Sequence, residues 1–102
     1  GRKMKIEKTV DGTAAMLSLS GSLDAMTAEE LGAAISALGE VTDLVLDLQK
    51  LEYVSSAGLR QFALAQKRMA AKGGSFSLVR VPEFVKEVLA MTGLINHLEV
   101  LG

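Results

Sequence analysis

Two neighbouring stretches decide the fold: Leu44-Val45-Leu46-Asp47-Leu48 and, a few residues on, Tyr53-Val54-Ser55-Ser56-Ala57-Gly58-Leu59. The first is short and almost continuously apolar, the pattern of a strand buried on both faces in a parallel sheet. The second runs from strand-forming residues into a small-residue corner and then into a helix. Leu59, Phe62, Ala63, Met69 and Ala70 recur at helical spacing and form an inner stripe, while Arg60, Gln61, Lys67, Arg68 and Lys72 cover the outside. Gly73-Gly74 stops that helix. Strand, corner and helix in this order form the first half of a crossover unit.

Strands and helices also alternate on either side, without sequence repeats. Upstream, Lys5 to Val10 alternates, Asp11-Gly12 gives a two-residue turn signal, and Ala14 to Ser20 alternates again, which predicts an opening hairpin. Gly21 to Met26 reads as a connector. Thr27 with Glu30 has the spacing of a capping box, Ala28, Leu31, Ala34, Ile35 and Leu38 form a helical stripe, and Gly39 ends it. Downstream, Phe76, Leu78, Val79 and Val81 predict a strand, and Pro82 opens a helix at its first position. Phe84, Val85, Val88 and Leu89 form its stripe, Gly93 closes it, and Leu98-Glu99-Val100 adds a short last strand. The order β-β-α-β-α-β-α-β predicts an α/β domain: a mixed sheet, made of an N-terminal hairpin plus parallel strands, flanked by about three to four helices. The domain is expected over residues 4–102, with Met4 as the native start and residues 1–3 as a remnant ahead of it.

Composition narrows the function. A chain of 102 residues holds one core and buries roughly 65% of its unfolded surface without staples. With no cysteine there are no disulfides, thiolate metal sites or cysteine nucleophiles, and the chain suits a reducing compartment. Eleven basic against twelve acidic residues argue against a phosphate-dominated nucleic-acid binder, and 4% aromatics leave little for base stacking. No apolar run has the length of a membrane span, and the basic N-terminus lacks the apolar segment of a signal peptide.

Candidate chemistry is sparse. A serine hydrolase needs a nucleophile, a base and an orienting acid. Ser55 and Ser56 stand at a strand-to-helix corner, but G-x-S-x-G is absent and His97 is the single histidine. Neither phosphate-loop motif occurs, and Gly73-Gly74 follows a helix rather than opening one. Asp24, Asp43 and Asp47 lack metal-ligand spacing, and Asp11 is explained by its turn, so no metal or cofactor is expected. Arg60, Lys67, Arg68 and Lys72 form either a solvated face or a docking surface for an acidic partner. The serine pair has two readings: an N-cap beside a close-packing Gly58, or a phosphoacceptor at a helix start, where free N–H groups and the positive helix end tolerate a phosphate.

Three segments together resemble the STAS domain, specifically the bacterial anti-sigma factor antagonists. Gly21-Ser22-Leu23-Asp24-Ala25-Met26-Thr27 through Leu31 is similar to the family's G-x-L-D-x-x-T-x-x-x-L; Leu44 to Leu48 resembles its central strand; Tyr53 to Leu59 resembles its D-S-[ST]-G-L phosphorylation segment. The likeness covers residues 4–102. The family's Asp falls on Ser55 and its second Ser/Thr on Ala57.

The resemblance implies a cytoplasmic binding module, not an enzyme, without a cofactor. Unphosphorylated, such a protein binds an anti-sigma factor that is also a serine kinase, and so frees a sigma factor. The kinase phosphorylates the antagonist and ends the binding, and a phosphatase resets it. The register puts the acceptor on Ser56, with Ser55 as the alternative, and a partner surface over Ser22, Asp24, Ala25, Met26, Ser55, Ala57, Gly58 and Arg60. The protein is expected to be a monomer or weak dimer. The competing reading is a STAS-type domain that binds a nucleotide or other small ligand, or acts as a scaffold, without a phosphoswitch.

Overall fold

A computed structural model describes residues 3–102. The chain runs β1 (Met4–Asp11), β2 (Ala14–Leu23), α1 (Ala25–Ser36), β3 (Asp43–Val54), α2 (Ser56–Ala71), β4 (Ser75–Val79), α3 (Glu83–Thr92), a 3₁₀ turn (Leu94–Asn96) and β5 (Glu99–Leu101). The five strands lie in sequence order, β1 antiparallel to β2 and every later neighbour parallel.

Each parallel crossover steps one strand further in the same direction. Right-handed crossovers taken in one direction place all three helices on one face of the sheet. Burial follows that rule. Leu17, Leu44, Leu46, Leu48 and Leu78, which face the helices, are wholly buried, and they meet Leu31, Phe62, Met69, Val85 and Leu89. The opposite face carries Met16, Ser18, Ser20 and Val45, which are exposed or half-buried, and Asp47 and Ser77, which are buried. β3 is therefore sealed on one face only, not on both as its apolar run suggests.

Several boundaries differ from the sequence reading for identifiable reasons. The hairpin turn is Gly12-Thr13, because Asp11 still pairs with Ala14. The demand for positive φ falls on Gly12 (φ 62°), the first central position, as in a II′ turn. Gly21 to Leu23 is not a connector but the end of β2, which keeps pairing with β3 beyond a register shift. α1 therefore starts at Ala25, and its N-cap is Asp24, three residues before the expected Thr27. Pro82 is the N-cap of α3 rather than its first residue. In α2, Ala65 is buried whereas Ala63 is half-buried and Ala70 exposed. Phe84 stays 37% exposed at the start of α3.

A polar pair pins the centre of the sheet. The register between β2 and β3 shifts between Ser18 and Ser20, so Leu48 and Gln49 stand opposite Leu19 alone. At the bulge, Asp47 Oδ1 accepts from the Gln49 N–H at 3.1 Å. The same carboxylate takes two bonds from Arg80, through Nε at 3.2 Å and through Nη2. Arg80 directly follows Val79, which lies beside Asp47, so plain alternation would turn Arg80 toward the helices. Its φ of +50°, a left-handed conformation that costs about 1–2 kcal/mol in a non-glycine residue, returns the side chain to the bare face.

The guanidinium beside it holds the Asp47 carboxyl below its ordinary 3.8, against the opposing effect of burial. A depressed folded-state value contributes stability that is present above the ordinary value and lost as pH falls through the lowered one. Asp47→Asn should therefore cost about 2 kcal/mol at neutral pH, the order of a hydrogen bond to a charged group. In urea unfolding, the gap from wild type should close as the medium is taken below pH 3.8. A gap that ignores pH would show that the carboxylate charge is not what matters.

Candidate functional site

The strands β2 and β3 end side by side, and α1 and α2 start from them. The Ser55 N–H donates to Leu23 O at 2.8 Å, which locks the two helix starts together. At the α1 start, Asp24 Oδ1 accepts from the N–H groups of Met26 (3.0 Å) and Thr27 (2.9 Å). Thr27 Oγ1 answers, accepting from the Asp24 N–H at 2.8 Å and donating to Ser22 O at 2.7 Å. The capping box is thus Asp24 with Thr27, and Thr27 is buried because its hydroxyl also ties back to β2.

At the α2 start the two serines divide. Ser55 is the N-cap: its Oγ accepts from the Gly58 N–H at 3.2 Å, and its backbone C=O takes the Leu59 N–H at 3.0 Å. Ser56 is the first helical residue and is exposed, and among the described residues its hydroxyl has no hydrogen-bond partner. Gly58 is buried in the joint. A Cβ there would lie 2.6 Å from Leu23 Cγ and 3.1 Å from Val54 Cγ2, so the helix could not seat this close with any larger residue.

Of the residues expected at a partner surface, Ala25, Met26, Ser56 and Arg60 are exposed, with Met26 at 79%. Asp24, Ser55 and Ala57 are half-buried. Ser22 and Gly58 are buried. Arg60 follows Ser56 by four residues, so the two share a helix face. Lys72, expected on the basic face, instead donates to Gly39 O (2.8 Å) and Val41 O (2.9 Å).

The hydrolase reading fails on topology. His97 precedes β5, at the edge of the sheet where parallel strands begin, while Ser56 follows the end of β3. Glu99 is level with Ser77 and hence with Val45, eleven residues before Ser56, so the two groups are separated by roughly 30 Å along the strand direction. Among the described residues no three His, Asp or Glu side chains group as metal ligands. Among them too, no helix is long and apolar enough to cross a membrane.

A family model described as "Mlab, STAS domain" matches residues 6–101. The chain belongs to the STAS family. BtrV of Bordetella bronchiseptica, named as an anti-sigma factor antagonist, is 34% identical over 96 residues, which is 92% of this chain and 81% of that protein. An anti-sigma factor antagonist from Mycobacterium paratuberculosis superposes with a TM-score of 0.85 at 25% identity, covering 97% of this chain and 86% of that one. SpoIIAA, an anti-sigma factor antagonist, shares the fold in its unphosphorylated form (TM-score 0.78, 19% identity, 98% and 88% covered). Bacillus SpoIIAA in the phosphorylated form does so too (0.76, 21%, 98% and 92%). This STAS chain is placed among the anti-sigma factor antagonists by that company, and the five-stranded sheet with three helices is their fold.

The division between the serines has a measurable consequence. Ser55→Ala should destabilise the domain by about 1 kcal/mol through loss of the cap. Ser56→Ala should stay within about 0.5 kcal/mol of wild type, as an exposed substitution does. A larger loss for Ser56→Ala than for Ser55→Ala on chemical unfolding would mean that Ser56, not Ser55, carries the cap.

Proposed function

We propose that this STAS domain is a partner-switching antagonist. Unphosphorylated, it binds a cognate anti-sigma factor that is also a serine kinase, and so releases a sigma factor. Phosphorylation of Ser56 ends the binding, and a phosphatase restores it. The work is done in the cytoplasm, by binding rather than catalysis. The observation that carries this reading is the exposed, unpartnered hydroxyl of Ser56 beside a serine already committed to capping. A kinase can reach Ser56, and a phosphate there displaces no structural bond. The names of BtrV and the Mycobacterium relative support the partner class, and phosphorylated SpoIIAA supports the type of switch.

The docking surface in this reading is the exposed rim of the two helix starts: Ala25, Met26, Ser56 and Arg60, with Asp24, Ser55 and Ala57 at its floor. Met26 supplies an apolar anchor and Arg60 a cation that has no ion-pair partner among the described residues. Buried Ser22 and Gly58 fix the angle between the helices.

Magnitudes decide how the switch acts. A phosphate at an exposed helix start gains about 0.3–1 kcal/mol from the helix dipole, against a domain stability of about 5–15 kcal/mol. Refolding is out of proportion to that gain. In a docked interface, however, two added charges meeting like charge cost several kcal/mol, and each 1.4 kcal/mol is about tenfold in affinity.

The test is incubation with the cognate kinase and ATP, followed by calorimetry. One phosphate should be added, and Ser56→Ala should abolish it while leaving binding intact. Ser56→Asp should bind roughly a hundredfold more weakly yet give an amide spectrum unchanged at the hairpin around Asp11. Phosphate on Ser55 would overturn the site, and shifts spreading to the hairpin would overturn the surface mechanism.

A further inference from the structure

The bare sheet face carries a depression that the Ser56 switch does not use. Its floor is the row Ser18–Asp47 with Ser20 beside it, its walls are Lys50 and Arg80, and its outer rim is Glu7. Asp47 lies eight residues before Ser55, about 20 Å away once the two register shifts in β3 are allowed for, so the depression is separate from the helix starts.

Three observations concern Arg80. Its backbone is strained at φ +50°, and such strain persists where the surroundings over-determine the residue. Its guanidinium is gripped side-on, through Nε and Nη2, by a carboxylate that is only 5% exposed. Its own side chain is nevertheless 60% exposed. A side-on grip leaves the two Nη1 hydrogens and one on Nη2 aimed away from Asp47, as a fixed fork. Lys50 stands in the same depression and has no ion-pair partner among the described residues. The hydroxyls of Ser18, Ser20 and Thr9 complete the lining, each able to donate one hydrogen bond.

We infer that this depression is a second binding site, for a small molecule bearing a carboxylate or phosphate group. The Arg80 fork takes two oxygens of the group, the geometry that guanidinium and planar or tetrahedral oxyanions share. Lys50 adds a charge from the side, and the serine hydroxyls donate from below. Glu7, exposed on the edge strand, opposes the anion and weakens the site.

That opposition gives the inference a sign. Inorganic phosphate and acetate are titrated separately into the labelled protein, and the Arg80 Nε–H resonance is followed with the amides of Ser18, Ser20 and Gln49. At least one anion should give saturable shifts at millimolar concentration, and the tighter one identifies the headgroup. Lys50→Gln should weaken binding and Glu7→Gln should tighten it, each about fivefold, the order of one exposed charge. Both positions are exposed, and thermal melts verify that the variants fold. No saturation with either anion, affinities unmoved by both substitutions, or shifts centred on Ala57 and Gly58 would each overturn the site.

Discussion

The seating of Gly58 on Leu23 and Val54 is the contact on which the rest of the domain depends. It lets α2 begin almost inside the sheet, close enough for the Ser55 N–H to reach Leu23 O. With the α2 start fixed there, the α1 start is fixed beside it, because Leu23 is one residue from the Asp24 cap. A larger side chain at position 58 would lift the helix, stretch that bond and separate the two starts. Packing at a glycine thus sets the geometry of a surface that glycine never touches.

The adjacent serines show how a fold gives two like residues unlike surroundings. Both are small, polar and at a helix start, and sequence treats them as near equivalents. The backbone does not. Ser55 has extended dihedrals that turn its hydroxyl back onto the first turn, while Ser56 is already helical and points its hydroxyl outward. A single residue step moves a hydroxyl from a satisfied hydrogen bond to open solvent.

Element order, strand pairing and the core were legible in the chain because periodicity reports them directly: Leu44, Leu46 and Leu48 on one side, Leu59, Phe62 and Met69 on the other. What was not legible came from contacts between distant segments. Thr27 has the residue type and spacing of a cap, and only the pairing of Leu23 with Val54, which carries β2 on to its end, moves the cap to Asp24. The one-sided burial of β3 followed from three crossovers in one direction, a property of the assembly and not of any strand. The left-handed Arg80 carries no residue signal, since glycine or asparagine would be expected there; it is fixed by Asp47, thirty-three positions away.

The register shifts between β2 and β3 constrain what lengths this segment can take. β2 has 10 residues and β3 has 12, and the surplus is taken up at two shifts, one near Ser18–Ser20 and one at Gly21–Ser22. Each shift inverts which face of β3 points to the helices, so the two together cancel: Leu48 faces inward, then Leu51, then Val54. A chain that gained or lost one residue between Asp47 and Ser55 would keep its composition and its motif. It would nevertheless arrive at the corner out of phase, with Val54 turned to solvent and no floor beneath Gly58. Spacing in this stretch therefore carries information that residue identity alone does not.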